Sequence, residues 1–464
     1  MTTVEQITGL GNGLQNLVIP PSNNPSNNSY SFAGNNIIQF QLPNAPVLLD
    51  PSSIRITGSL RFTNNSSMAQ PGSASPEYEK IFIDQYLGVN AIFRSVEFSS
   101  TGGNRQSIEK IQNYGQLLQC ILPALNQTSN YQNDLQIGNL ATQNTPVSSE
   151  FILQNAAYFK SIGAGGSGKA NGIRFSTPLY TGLTMASGQK LPLSNLNGIT
   201  VTLELQADNA VFFSTETSAN PDQLARIKYE LFDLKLECST YSPNAEEKMA
   251  LMNQKKGVLQ CNTFTSLFSV LQASQTNAQF NLGIKELVSV LFKFTPTSSV
   301  NNLALNEYQS TRVIDDNNET KQFTKVRFMR SGVEFPLMFP IDVVDKSLEC
   351  ELNKYYLQAL KNVHTRTTPK LAVNGLTNDV RFSLGASDFK YTLANQVRSS
   401  NKLNQVYGVG YDFFSSMTGA DFDGKPLTLN VECDLADART NAMYAFVLAK
   451  TMIMFDENGV AVMN

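Results

Sequence analysis

The sequence predicts an all-β protein made of two tandem eight-stranded jelly-roll β-sandwiches with a few short helices. Three observations carry this: period-two alternation of apolar residues, polar loops far longer than hairpin turns, and a repeat at an offset close to half the chain. The chain has 464 residues, 41% of them hydrophobic. That suffices for two domains of about 200 residues, each with its own core.

Alternation begins with Ile38, Phe40 and Leu42 and returns after a Pro-containing turn in Ile54, Ile56, Leu60 and Phe62. Later runs are Ile199 to Leu205, Leu234 to Cys238, Phe280 to Ile284, Val288 to Phe294 and Leu427 to Leu435. Each puts one side-chain row on a buried face and the other toward solvent or a neighbouring subunit. Between them lie polar stretches such as Asn64 to Pro76, Asn126 to Ser149 and Thr297 to Lys321. Loops of that length favour Greek-key crossovers over simple hairpins, hence the jelly roll.

Two segments have helical spacing: Ile108, Ile111, Leu118 and Ile121 in one, and Leu348, Leu352, Tyr355 and Ala359 in the other. A third candidate starts at Ala245, after Pro243, and ends at Gly257 near mid-chain, the place for a linker. The expected plan is a flexible N-terminal arm at 1–35, a first jelly roll at 36–243, a linker helix at 244–262 and a second jelly roll at 263–464. The arm rests on PPSNNPSNNS, whose prolines and asparagines favour extended, unpaired backbone.

The halves read as distant copies. RSVEF at Arg94 returns as RSGVEF at Arg330, and each precedes a helical segment; ITVTLELQ at Ile199 matches LTLNVECD at Leu427. Shared order carries more weight than identity, because short alternating strands resemble one another by chance.

Composition excludes several functions. Charged residues are 16% of the chain and the net charge is -3, so there is no broad basic footprint for nucleic acid. The five cysteines, Cys120, Cys238, Cys261, Cys350 and Cys433, are scattered and odd in number, unlike a disulfide framework or a zinc site. The N-terminus lacks a basic segment followed by an apolar run, which points to synthesis in a cytosol-like compartment. The longest apolar stretch, Ala442 to Phe455, is interrupted by Lys450 and falls short of the ~20 residues of a membrane-spanning helix. Sequons at Asn27, Asn64 or Asn65, Asn126 and Asn318 reflect an Asn-, Ser- and Thr-rich composition.

No catalytic, cofactor-binding or metal-binding residue is assigned. Gly163, Gly168 and Lys169 have phosphate-loop spacing, but Ala170, Asn171 and Gly172 follow where a magnesium-binding hydroxyl and a helix are needed. A surface loop is the expectation. The single histidine, His364, sits in a polar stretch and excludes any multi-histidine site. Glu246/Glu247, Asp315/Asp316 and Asp421/Asp423 read as solvated turn carboxylates. Tyr180, Tyr411, Phe413 and Phe414 could form a sugar-binding platform, but aromatics at strand ends more often close a core, and the chain has no Trp. Lys255 and Lys256 form a small basic spot in the linker, either a solvated helix end or a contact to genome or lipid.

The opening GNNIIQFQLPNAPVLLDPSSIRITGSLRF, then RSVEF followed by IEKIQNYGQLLQCI, resembles the double jelly-roll major capsid proteins of DNA viruses, in particular those of polinton-like viruses and virophages. The resemblance implies a homotrimeric capsomer of pseudo-hexagonal outline that tiles an icosahedral shell. Its implied partners are further copies of the chain, penton proteins and minor capsid proteins. It places the protein in the virion, assembled in the host cytoplasm or nucleus, without enzymatic activity. The alternative is a two-domain binding module, lectin-like or a receptor-binding spike, because one architecture serves both roles.

Overall fold

The computed structural model describes residues 5–8, 13–23, 29–64, 81–84, 87–101, 105–125, 173–185, 190–214, 227–244, 256–272, 277–284, 286–302, 307–308, 325–330, 333–335, 341–342, 349–363, 392–393, 396–397, 409–413, 425–432, 440–456 and 459–463, with a few isolated positions. Sixteen strands form two sandwiches. The first uses β1 (Leu14–Ile19), β2 (Ile37–Leu42), β3 (Leu48–Asn64), β4 (Phe93–Ser100), β5 (Ser107–Gln112), β6 (Ile173–Pro178), β7 (Ile199–Leu205) and β8 (Ile227–Tyr241). The second uses β9 (Gly257–Leu271), β10 (Asn277–Leu282), β11 (Leu287–Pro296), β12 (Lys325–Arg330), β13 (Val333–Phe335), β14 (Val409–Asp412), β15 (Lys425–Glu432) and β16 (Asn441–Asp456).

In the first sandwich the sheets run β1-β8-β3-β6 and β2-β7-β4-β5, all antiparallel. In the second they run β9-β16-β11-β14 and β10-β15-β12-β13, again antiparallel. Adding eight to each strand number converts one order into the other. This is the jelly-roll wiring, present twice, and it is the expected fold class.

Alternation places the core as expected in several strands. Ile38, Phe40 and Leu42 of β2 point inward, as do Ala278, Phe280 and Leu282 of β10. Residues 199–205 of ITVTLELQ and 427–432 of LTLNVECD lie on β7 and β15, which are counterparts.

Four expectations need correction. First, residues 1–35 are not simply an unpaired arm. Leu14–Ile19 is the first strand of the jelly roll, paired with β8 from Leu14↔Tyr241 to Ile19↔Leu236, with Leu17 and Ile19 buried. Glu5–Thr8 adds a strand outside β1, and Ser29–Tyr30 pairs with β8. A few apolar side chains suffice because the partner strand supplies the hydrogen bonds and the core. Second, the range 244–262 is not all linker: Glu246, Met249 and Asn253 are helical, but β9 already begins at Gly257. Third, Ile108 and Ile111 belong to strand β5, and the helix α1 is Tyr114–Leu125, starting after Asn113 at φ 55°. Fourth, RSVEF lies within β4, whereas RSGVEF spans the end of β12 and the start of β13, so the two motifs are not structural counterparts.

The helices α1 and Glu349–Val363 both lie in the crossover after the fifth strand of their sandwich. They pack differently: α1 touches β4 and reaches β11 of the second sandwich, while Glu349–Val363 lies against β14 and β11 of its own.

Candidate functional site

Among the described residues, a group of buried polar and charged side chains lies where the sandwiches meet. The sheet β2-β7-β4-β5 continues directly into β9-β16-β11-β14, joined by one parallel bridge, Thr265↔Lys110, and with Gly459–Met463 paired to β16 this gives a single nine-stranded sheet. β16 consequently has two buried faces. Met443, Ala445, Val447 and Ala449 enter the core of the second sandwich, while Ala442, Tyr444, Phe446 and Leu448 join the core that includes the first. The stretch noted for its apolar length is a shared wall. Among the described residues, no helix is long and apolar enough to cross a membrane.

Tyr308 is the plug of this seam. Its ring lies so close to Gly115 of α1 that a Cβ there would overlap it, and its hydroxyl donates to the Ala91 carbonyl at 2.8 Å. Gln116 of α1 donates to the Glu307 carbonyl at 3.2 Å, and Lys293 of β11 donates to the Tyr308 carbonyl. Tyr356 of α2, taking α2 as Glu349–Val363, donates to the Cys120 carbonyl. Gly410 lets α2 approach, since a Cβ there would sit 3.1 Å from both Ala359 Cβ and Leu291 Cδ2.

Two of the buried ionisable groups, Lys293 and Glu109, lie along this seam. Lys293 is fully buried, and burial pushes its ammonium down to about 8, opposed by Cys120, Asp84 and Glu307. Glu109 of β5 accepts backbone N–H groups from Gly182 at 2.8 Å, Leu183 at 3.1 Å and Phe264 of β9 at 2.7 Å. Burial raises its carboxyl to about 7 against those hydrogen bonds. Gly182 is required there, because a Cβ would fall 2.8 Å from the Asn262 carbonyl oxygen and 2.9 Å from Glu109 Oε1. These groups join elements rather than present a reactive atom to solvent.

Most residues weighed from the sequence lie elsewhere. Gly163, Gly168 and Lys169, His364, Asp315/Asp316, Asp421/Asp423, Glu247, Lys255 and Phe414 fall outside the described residues. Glu246 and Lys256 are exposed. Tyr180, Tyr411 and Phe413 are buried, the last two packed with Phe328 and Tyr355, so these aromatics do close cores. Cys120, Cys238 and Cys261 are buried free thiols, each pushed up to about 12 by burial. Among the described residues no cluster of His, Cys, Asp and Glu could hold a metal ion.

The seam residues escaped sequence reasoning, although two left traces. Lys293 is a lone cation in an apolar run, and Glu109 lies between Ile108 and Ile111. A charge inside such a run marks a strand with both faces covered.

No protein-family model matches the chain, and no curated protein matches it in sequence. Solved structures do match. The Faustovirus major capsid protein superposes with a TM-score of 0.55 at 8% identity, covering 97% of this chain and 92% of that one. The Sputnik virophage, solved by cryo-EM, gives 0.54 at 10% identity, covering 99% and 90%. The PBCV-1 virus capsid gives 0.52 at 10% identity, covering 99% of each. The likeness spans both sandwiches and the seam between them, so the chain has the fold of these capsid proteins.

Proposed function

We propose that the chain is a major capsid protein, a structural subunit of the icosahedral shell of a DNA virus. The observation that carries this reading is a full-length fold of two identically wired jelly rolls fused through a buried seam, matched end to end by capsid proteins. Such a unit presents two similar domains in a fixed relation. Three chains then give six similar domains around an axis, and the near-sixfold outline lets a capsomer meet six neighbours. The functional form is therefore a homotrimer, contacting other capsomers in the shell, penton proteins at the vertices and minor capsid proteins beneath. The virion is its location, with assembly in the host cytoplasm or nucleus, and a virophage or polinton-like virus is the expected source. Electron microscopy of the purified chain, with mass measurement in solution, tests this: hexagonal particles of three chains are expected. A stable monomer under all assembly conditions would refute it.

A further inference from the structure

Between β5 and β9 the two sandwiches share, among the described residues, a single backbone bridge, Thr265↔Lys110, whereas β7 and β4 inside the first sandwich share a register of seven pairs. A joint with so little ladder is held by side chains. Gln112 N–H donates to Ser266 Oγ at 3.0 Å, and beside the bridge stands Glu109, 2% exposed. One oxygen of its carboxyl, Oε1, accepts from Gly182 N–H of the first sandwich at 2.8 Å and from Phe264 N–H of the second at 2.7 Å. Oε2 accepts from Leu183 N–H at 3.1 Å, and the Thr181 hydroxyl donates to the same carboxyl.

We infer that Glu109 is a proton-operated fastener between the sandwiches: the seam stays closed over the neutral acid and parts when the carboxylate must reach solvent. Geometry carries this, because every partner of the carboxyl is a neutral donor. Among the described residues no Lys, Arg or His pairs with it, so a negative charge there is buried without a counter-charge. The titratable groups that face it are Tyr114 from α1 and Cys261 from β9; burial raises both, which leaves them neutral and unable to compensate. The short helix Gly182–Met185 brings none, and from β4 the register partner is Phe98. Lys110, next to Glu109 in the chain, is turned to Glu97 at 3.9 Å.

Where the proton is held sets the direction of the response. In the closed seam burial raises the carboxyl to about 7, and in an opened seam, with water at the carboxyl, it returns to its ordinary value of 4.5. The closed form thus binds a proton that the open form releases, so opening grows with pH between those values and is constant above about 7. Parting the seam leaves the ladders within each sandwich intact, which makes it a local event rather than unfolding of the chain. The device lies within one chain and stands without the capsomer reading. Under that reading, a subunit's two sandwiches keep their fixed relation more firmly in acid than at neutral pH.

The test is hydrogen exchange of the full chain at intervals between pH 5 and 8, read by mass spectrometry and divided by the intrinsic rate at each pH. Peptides that carry Gly182, Leu183 and Phe264 should open about tenfold more for each pH unit up to about 7, and no further above it. At every pH they should be less protected than peptides within β4 and β7, by about tenfold or more. Glu109→Gln should abolish the rise, and Thr181→Val, which removes a donor to the carboxylate, should carry it to higher pH. Seam protection that ignores pH or grows with it overturns the proposal, as does protection equal to that of β4 and β7 throughout, which means that the seam opens only when the chain unfolds. A Glu109→Gln chain with the wild-type slope assigns the proton to another group and overturns it too. If that variant does not fold, Thr181→Val decides, and an unmoved plateau overturns the proposal.

Discussion

Replacing Glu109 by Gln should change how stability depends on pH more than it changes the fold. With its carboxyl raised from 4.5 to about 7 by burial, Glu109 keeps a proton in the folded chain across a range where the unfolded chain has lost it. Stability therefore falls as pH rises through that window, and the penalty is fully present above about pH 7. A shift of 7 − 4.5 = 2.5 pH units corresponds to about 3 kcal/mol, at 1.36 kcal/mol per unit. Gln cannot ionise. Its amide also presents N–H groups to donors from Gly182, Leu183 and Phe264, so the variant starts less stable, and only the slope is informative. Urea denaturation at intervals between pH 4.5 and 8 measures it. The wild type should lose about 3 kcal/mol relative to Glu109→Gln across that range. Parallel curves, or a wild type that gains on the variant with rising pH, would refute the reasoning.

Other expectations follow from the same seam and from β1. Tyr308→Phe leaves the Ala91 carbonyl without its donor and should cost about 1 kcal/mol, while Tyr308→Ala empties a buried aromatic site and should cost about 3–5 kcal/mol; equal losses in the two variants would exclude a plug role. Gly115→Val drives a side chain into the Tyr308 ring and should lower the melting temperature, and Tyr308→Ala in the same chain should restore part of the loss; additive effects would rule out the contact. Deleting residues 1–20 removes the buried Leu17 and Ile19 and uncovers one side of β8, at a cost of about 3–6 kcal/mol; a truncated chain that melts with the full one would restore the arm reading.

The sequence reveals strands wherever one face is buried and the other wet. β2 and β10 alternate cleanly because their outward residues are mostly Gln or Asn. β1 is hidden because Leu17 and Ile19 are its only buried side chains, set among Gly, Asn and Pro. β5 imitates a helix because Ile108 and Ile111, three apart on opposite sides of a strand, are both buried. The repeat is legible at β7 and β15, where both sandwiches place an alternating strand in the middle of a sheet. It fails at RSGVEF, whose Arg330 ends β12 while its Val333–Phe335 form the next strand, β13. Seam residues are the least legible, since Gln116 and Glu307, which join α1 to the plug, lie 191 residues apart, and no local pattern encodes such a meeting.

A wall shared by two cores also sets an order of events during synthesis. The other fifteen strands leave the ribosome before β16, and until it arrives β9 and β11 lack the strand that stands between them. The first sandwich can close early, but its α1 side has nothing to rest on, and Tyr308 has no rigid sheet behind it. A chain halted before Asn441 thus displays an apolar flank that a finished chain never shows, a mark by which chaperones and proteases can tell unfinished subunits from those ready to enter a shell.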